Sequence, residues 1–202
     1  MLKYFYDNQL INITEKHPKN WEEAIEISGE VLKEKGLITD EYIQSVIRDV
    51  HEYGPYIVII PNVAMPHSSA NNQGVLGTGI GFTILPEKVY FEEGNEEKQA
   101  KLFFTLAAKN GEEHMQNIAN LSEMLMTDGL VDDLLTIQTM DDYLAIMKNI
   151  IFKFEEESEN GKNWRYFTSH LVLFCKEHFD TTSIFNRVDC ICGLCAFKTT
   201  TI

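Results

Sequence analysis

Gly54-Pro55-Tyr56-Ile57-Val58-Ile59-Ile60-Pro61-Asn62-Val63-Ala64-Met65-Pro66-His67 is the stretch from which the rest of the chain is read. Within it, Tyr56-Ile57-Val58-Ile59-Ile60, short, β-branched and bounded by Pro55 and Pro61, predicts a buried strand. Pro66 fixes its own φ and restricts Met65 to extended conformations, so the backbone presenting His67 is stiff. Imidazole titrates near neutrality and can act as an unprotonated nucleophile at cellular pH. On these residues alone, a loop histidine without a role fits the segment equally well.

Upstream, two helices are expected. Asn20 is an N-cap for a helix beginning at Trp21 and ending near Lys35, with Glu22 and Glu23 suiting its dipole and Gly36 closing it. Thr39 caps a second helix, Asp40–Tyr53, whose apolar stripe is Tyr42, Ile43, Val46, Ile47 and Val50. Gly54-Pro55 stops it. Downstream, residues 76–85 and 101–108 read as strands. Residues 112–126, 130–135 and 140–151 read as helices. Strands alternating with helices predict an α/β fold in which helices cover a sheet.

Composition narrows the function. Hydrophobic residues make up 44% and aromatics 11%, enough for a real core. With 17 basic against 31 acidic residues the net charge is −14, which repels phosphate backbones and argues against nucleic-acid binding. Residues 1–16 have neither a charged n-region nor an apolar h-region, and the apolar runs are far shorter than the ~20 residues a bilayer demands. The expectation is a soluble, cytoplasmic protein without membrane insertion.

Character changes after residue 154. Residues 155–161 read as a solvated linker, so the expected organisation is a domain over 1–154 and a C-terminal extension over 155–202. All four cysteines (Cys175, Cys190, Cys192 and Cys195) lie in that extension, which excludes a disulfide framework for the main domain. Together with His178 they offer soft ligands for zinc, but their spacing matches no finger. A loosely packed or out-of-frame tail is the preferred reading, and no metal site is assigned. The glycines of residues 74–81 run onward into a strand rather than opening a helix, so they read as packing positions, not a phosphate cradle. Ser68 beside His67 lacks the Gly-x-Ser-x-Gly elbow of a hydrolase.

His114 is the second candidate. It follows Lys109-Asn110-Gly111-Glu112-Glu113 at the start of a helix, where free N–H groups and the dipole favour a phosphoryl group. A second imidazole there could donate to a phosphoryl oxygen, although on these residues alone a solvent-facing histidine at a helix start is the better fit.

The quoted segment resembles the active-site signature of enzyme IIA components of the phosphoenolpyruvate-dependent sugar phosphotransferase system (PTS), mannitol/fructose class. Its wording is most similar to the ascorbate-type subfamily. The resemblance continues through Trp21-Glu22-Glu23-Ala24, Val75-Leu76-Gly77-Thr78-Gly79, Val89-Tyr90-Phe91 and Leu106-Ala107-Ala108, covering roughly residues 10–152. It implies a mixed β-sheet flanked by helices on both faces. It further implies that His67 takes a phosphoryl group from the phosphocarrier HPr, with His114 as the supporting histidine. A cysteine of the cognate enzyme IIB would be the acceptor, and the membrane permease IIC would be served indirectly. No metal or other cofactor is implied.

Two departures stand out. Mannitol-branch members carry an arginine where this chain has His51-Glu52, with Arg48 nearest, so that role is not transferred. Ascorbate-type members continue from the histidine with Gly or Ala and soon Arg, whereas here Ser68-Ser69-Ala70-Asn71-Asn72 follows. Two other classes stay open at this stage: a regulatory domain reporting phosphorylation state, and a catalytically silent binding protein.

Overall fold

The computed structural model describes residues 1–68 and 74–159. The chain divides into two compact units, residues 1–148 and 149–202, and the tail cysteines with His170 and His178 lie outside the described residues. Elements run α1 (Leu2–Asp7), β1 (Ile11–Ile13), α2 (Trp21–Glu34), α3 (Asp40–Tyr53), β2 (Val58–Ile60), β3 (Asn62–Ala64), β4 (Gly79–Tyr90), a 3-10 turn (Glu96–Lys98), β5 (Gln99–Ala107), α4 (Gly111–Leu125), α5 (Leu130–Leu135) and α6 (Met140–Glu159).

The five strands form one sheet in the order β1-β4-β5-β3-β2. The β1/β4 and β3/β5 pairs are parallel, while β4/β5 and β2/β3 are antiparallel. The sheet is therefore mixed, and side-chain alternation along β4 and β5 shows what covers each face. Gly81, Thr83 and Thr105 face α2. Thr105 Oγ1 donates to Ser28 Oγ at 2.8 Å, and Thr83 Oγ1 reaches the Ser28 carbonyl at 3.4 Å. A Cβ on Gly81 would sit 2.7 Å from Val31 Cγ1, so only glycine lets α2 approach this closely.

The alternate residues Phe82 and Phe104 stack on the opposite face, with centroids 4.4 Å apart and rings nearly parallel at 2°. Phe5 of α1 and Tyr143 of α6 cover them, and Tyr143 Oη donates to the Leu2 carbonyl at 2.7 Å. Burying each such ring contributes about 1.5–3 kcal/mol of transfer free energy. The sheet is an α/β layer with helices on both faces.

Several expectations need correction. The apolar run after Pro55 is not a buried strand from Tyr56. Residues 54–57 form a turn, with Tyr56 N–H bonding the Gly54 carbonyl, and β2 begins only at Val58. β2 is the sheet edge, where Ile59 and Ile60 are 38% and 40% exposed. Asn62 adopts φ 72°, reversing the chain directly into β3. Hydrophobicity alone could not distinguish a central strand from this short hairpin.

Leu76 and Gly77 precede β4 rather than belong to it, both donating to the Leu37 carbonyl. The strand then runs on through Pro86 to Tyr90, accommodated by a register shift between Ile84 and Val89. Asn20 caps α2 as expected, its side chain accepting from Glu23 N–H. Thr39 occupies the cap position of α3, but its hydroxyl makes no capping bond. α6 continues to Glu159, through part of the expected linker. Among the described residues, no helix is long and apolar enough to cross a membrane.

Candidate functional site

His67 is held by its backbone before its side chain does anything. α3 stops at Gly54, whose φ of 80° glycine alone adopts readily, and the turn delivers Tyr56 beneath the later loop. After β3, Met65 N–H bonds the Ile57 carbonyl at 2.8 Å, and the Pro66 carbonyl accepts from Leu106 N–H of β5 at 2.9 Å. Tyr56 Oη then donates to the His67 carbonyl at 2.6 Å, with its ring edge-on to the imidazole at 5.3 Å. Three successive residues of the loop are thus tied to three different partners.

The ring orientation follows. His67 Nδ1 lies 2.7 Å from the Met65 carbonyl. A carbonyl only accepts, so Nδ1 is the donor in this contact, and in the neutral ring the lone pair is then on Nε2.

His114 comes from the opposite side, in the first residues of α4. Asn110 Oδ1 accepts from Glu113 N–H and Asn110 Nδ2 donates to Glu113 Oε1, each at 2.9 Å, fixing the helix start. Thr78 Oγ1 donates to the other Glu113 oxygen, tying α4 to the approach of β4. The His114 and His67 rings stand 5.4 Å apart. Burial, then the nearby His67, lowers the His114 pKa below its ordinary value, which keeps it neutral with one N–H to donate.

An open depression of about 260 Å³ joins the two histidines with Asp49, Tyr53, Tyr56 and Ser68. Burial, then the Asp49 charge, raises the Tyr56 pKa, so its hydroxyl remains a neutral donor. Ser68 is 4% exposed and its hydroxyl donates to Asp49 Oδ2.

Sequence reading named His67 and His114, and the fold brings them together. It missed Tyr56, Asp49 and Ser68 as parts of the same site. Asp49 carried a signal: it lies three residues after Val46 and four before Tyr53, so an acid borders the buried stripe of α3. His51 packs against Trp21, with centroids 4.7 Å apart, and its Nε2 lies 3.4 Å from Glu22 Oε1, outside the depression. His17 pairs with Glu87, and Arg48 is exposed. Among the described residues, no cluster of three His, Cys, Asp or Glu side chains could hold a metal ion.

A mixed sheet covered on both faces, with two facing histidines beside its strands, defines an α/β domain with a paired-histidine depression. Residues 4–150 match the family described as "Phosphoenolpyruvate-dependent sugar phosphotransferase system, EIIA 2", and the chain belongs to that family. It is an enzyme IIA phosphotransferase component.

Among its relatives is the mannitol-specific cryptic phosphotransferase enzyme IIA component of Escherichia coli (strain K12). That protein is 39% identical over 118 residues, covering 58% of this chain and 78% of the relative. The ascorbate-specific PTS system EIIA component of Mycoplasma pneumoniae is 30% identical over 118 residues, covering 58% and 72%. Among solved structures, the complex of enzyme IIAMtl with phosphorylated enzyme IIBMtl from Escherichia coli aligns with a TM-score of 0.58 at 29% identity. It covers 70% of this chain and 95% of the other.

Proposed function

We propose that this chain is a cytoplasmic phosphocarrier that accepts a phosphoryl group from phospho-HPr on His67 Nε2 and passes it to a cysteine of an enzyme IIB. The domain that does so ends near residue 154, and a IIC permease is served through IIB. The observation that carries the reading is the His67 Nδ1 contact with the Met65 carbonyl, which leaves Nε2 as the nucleophile in a depression shared with His114. That one relative is solved with phosphorylated IIBMtl supports IIB as the acceptor.

In the loading step, the Nε2 lone pair forms a new N–P bond while the N–P bond of the donor breaks. The bonding pair returns to the donor imidazole, and the Nδ1 proton stays on the His67 ring, hydrogen-bonded to the Met65 carbonyl. In the unloading step the N–P bond at His67 breaks and a thiolate of IIB forms S–P. Such transfers depend on position and on charge stabilisation more than on proton chemistry. Tyr56 supplies position through the His67 carbonyl, and the neutral His114 supplies a donor toward a phosphoryl oxygen. No cofactor enters either step. The wording of the signature favours an ascorbate-type system, and transported sugar is read by the membrane component.

The test is incubation of the purified chain with phosphoenolpyruvate, enzyme I and HPr, followed by intact mass at alkaline pH. One acid-labile phosphoryl group is expected, absent from the His67→Ala protein. A folded wild-type chain that gains nothing would contradict the reading.

A further inference from the structure

Asp49 is the unexpected member of the depression. A site that holds a phosphoryl group would be expected to offer positive charge, yet Asp49, Tyr53, Tyr56, His67, Ser68 and His114 include no lysine or arginine. Residues 69–73, which follow in sequence, carry no charged side chain either. Asp49 enters none of the ion pairs among the described residues, and Arg48 beside it on α3 is exposed. The Asp49 carboxylate is instead held by the hydroxyl of the buried Ser68, the residue immediately after His67.

We propose that Asp49, held in place by Ser68, disfavours the phosphoryl group on His67 and so keeps the loaded chain a ready donor. This rests on the proposed loading of His67. The phosphoryl group adds negative charge to a pocket where a carboxylate already stands. Like charges in one partly dehydrated site repel, and the repulsion is relieved when the N–P bond breaks and the group leaves for the acceptor. Ser68 acts through Asp49. Its O–H donates to Oδ2 and keeps the carboxylate turned toward the site rather than toward water. Ser68 is therefore a positioning residue, and the chain's departure from Gly or Ala at this place is what supplies the hydroxyl.

The measurement is the equilibrium partition of the phosphoryl group between HPr and the full chain, with folding followed by circular dichroism. Asp49→Asn should move the partition toward the loaded chain on the order of tenfold, the size expected for one nearby charge at a partly solvated site. Ser68→Ala should move it in the same direction by a smaller factor, and Ser68→Thr, which keeps the hydroxyl, should restore the wild-type value. The double variant should shift no further than Asp49→Asn alone, because both changes remove one interaction.

An unchanged or reversed partition in a folded Asp49→Asn chain would overturn the proposal. So would a Ser68→Ala shift that adds fully to that of Asp49→Asn. Should Asp49→Asn not fold, the Ser68→Ala and Ser68→Thr pair decides alone: equal partitions would overturn the proposal. A wild-type chain that takes no phosphoryl group would fail the carrier reading itself, which the variants then cannot rescue.

Discussion

The loop that carries His67 and the helix start that carries His114 face each other across 5.4 Å, yet they are built by different means. The His67 loop is tied to the sheet and to the preceding turn by the backbone of Met65, Pro66 and His67. The His114 turn stands on a capped surface helix in which Leu121 is the buried residue, and its anchors are Asn110, Glu113 and Thr78. Reacting atoms benefit most from fixed geometry, while a supporting donor tolerates small adjustments. The contrast supports the proposed acceptance at His67 and assistance by His114.

The contrast can be broken by exchanging which residue matters most. His67→Ala should abolish phosphoryl acceptance while leaving the fold intact, measured by intact mass and thermal unfolding. Loading of the variant at His114 would erase the distinction between the two regions. His114→Ala should slow loading roughly 10- to 100-fold without abolishing it, as for loss of one aligned donor. Rapid-quench transfer from phospho-HPr would show it, and an effect as large as that of His67→Ala would make the two histidines equal partners.

Smaller changes sharpen the comparison. Tyr56→Phe removes the bond to the His67 carbonyl and should cost about 1 kcal/mol of stability, with a several-fold slower transfer. Asn110→Ala removes the α4 cap and should cost a similar ~1 kcal/mol, yet affect transfer less than Tyr56→Phe does, because it loosens only the supporting side. Urea unfolding alongside transfer assays separates the two.

The smallest effect is on pH. His114 is held below its ordinary 6.5, so below that value the unfolded chain binds more protons than the folded one. Stability should therefore rise as pH climbs toward 6.5 and level off above it. His114→Gln should flatten that part of the curve in urea midpoints measured from pH 5 to 7.5.

Much of this arrangement was legible in the residues. α3 reads directly from its stripe and its Gly54 stop, and α2 from Asn20 and Gly36. The paired histidines emerged from the signature around Met65-Pro66-His67 and from the helix start after Lys109. What stayed hidden was tertiary. The run Ile57-Val58-Ile59-Ile60 has the composition of a buried strand, but Asn62 reverses the chain after a single proline and leaves Ile59 and Ile60 at the edge. α1 and β1 are too short for periodicity to declare them, although Phe5 covers the Phe82–Phe104 stack. The Asp49–Ser68 contact joins residues 19 positions apart, and only the return of the chain past α3 brings them together.

The most direct test of the central claim is where the phosphoryl group sits. Histidine side chains labelled with 15N, recorded by long-range 1H–15N correlation before and after loading, identify both the residue and the nitrogen. The account predicts phosphorylation of His67 at Nε2, with Nδ1 keeping its proton toward the Met65 carbonyl. A group found on His67 Nδ1, or on His114, would contradict it.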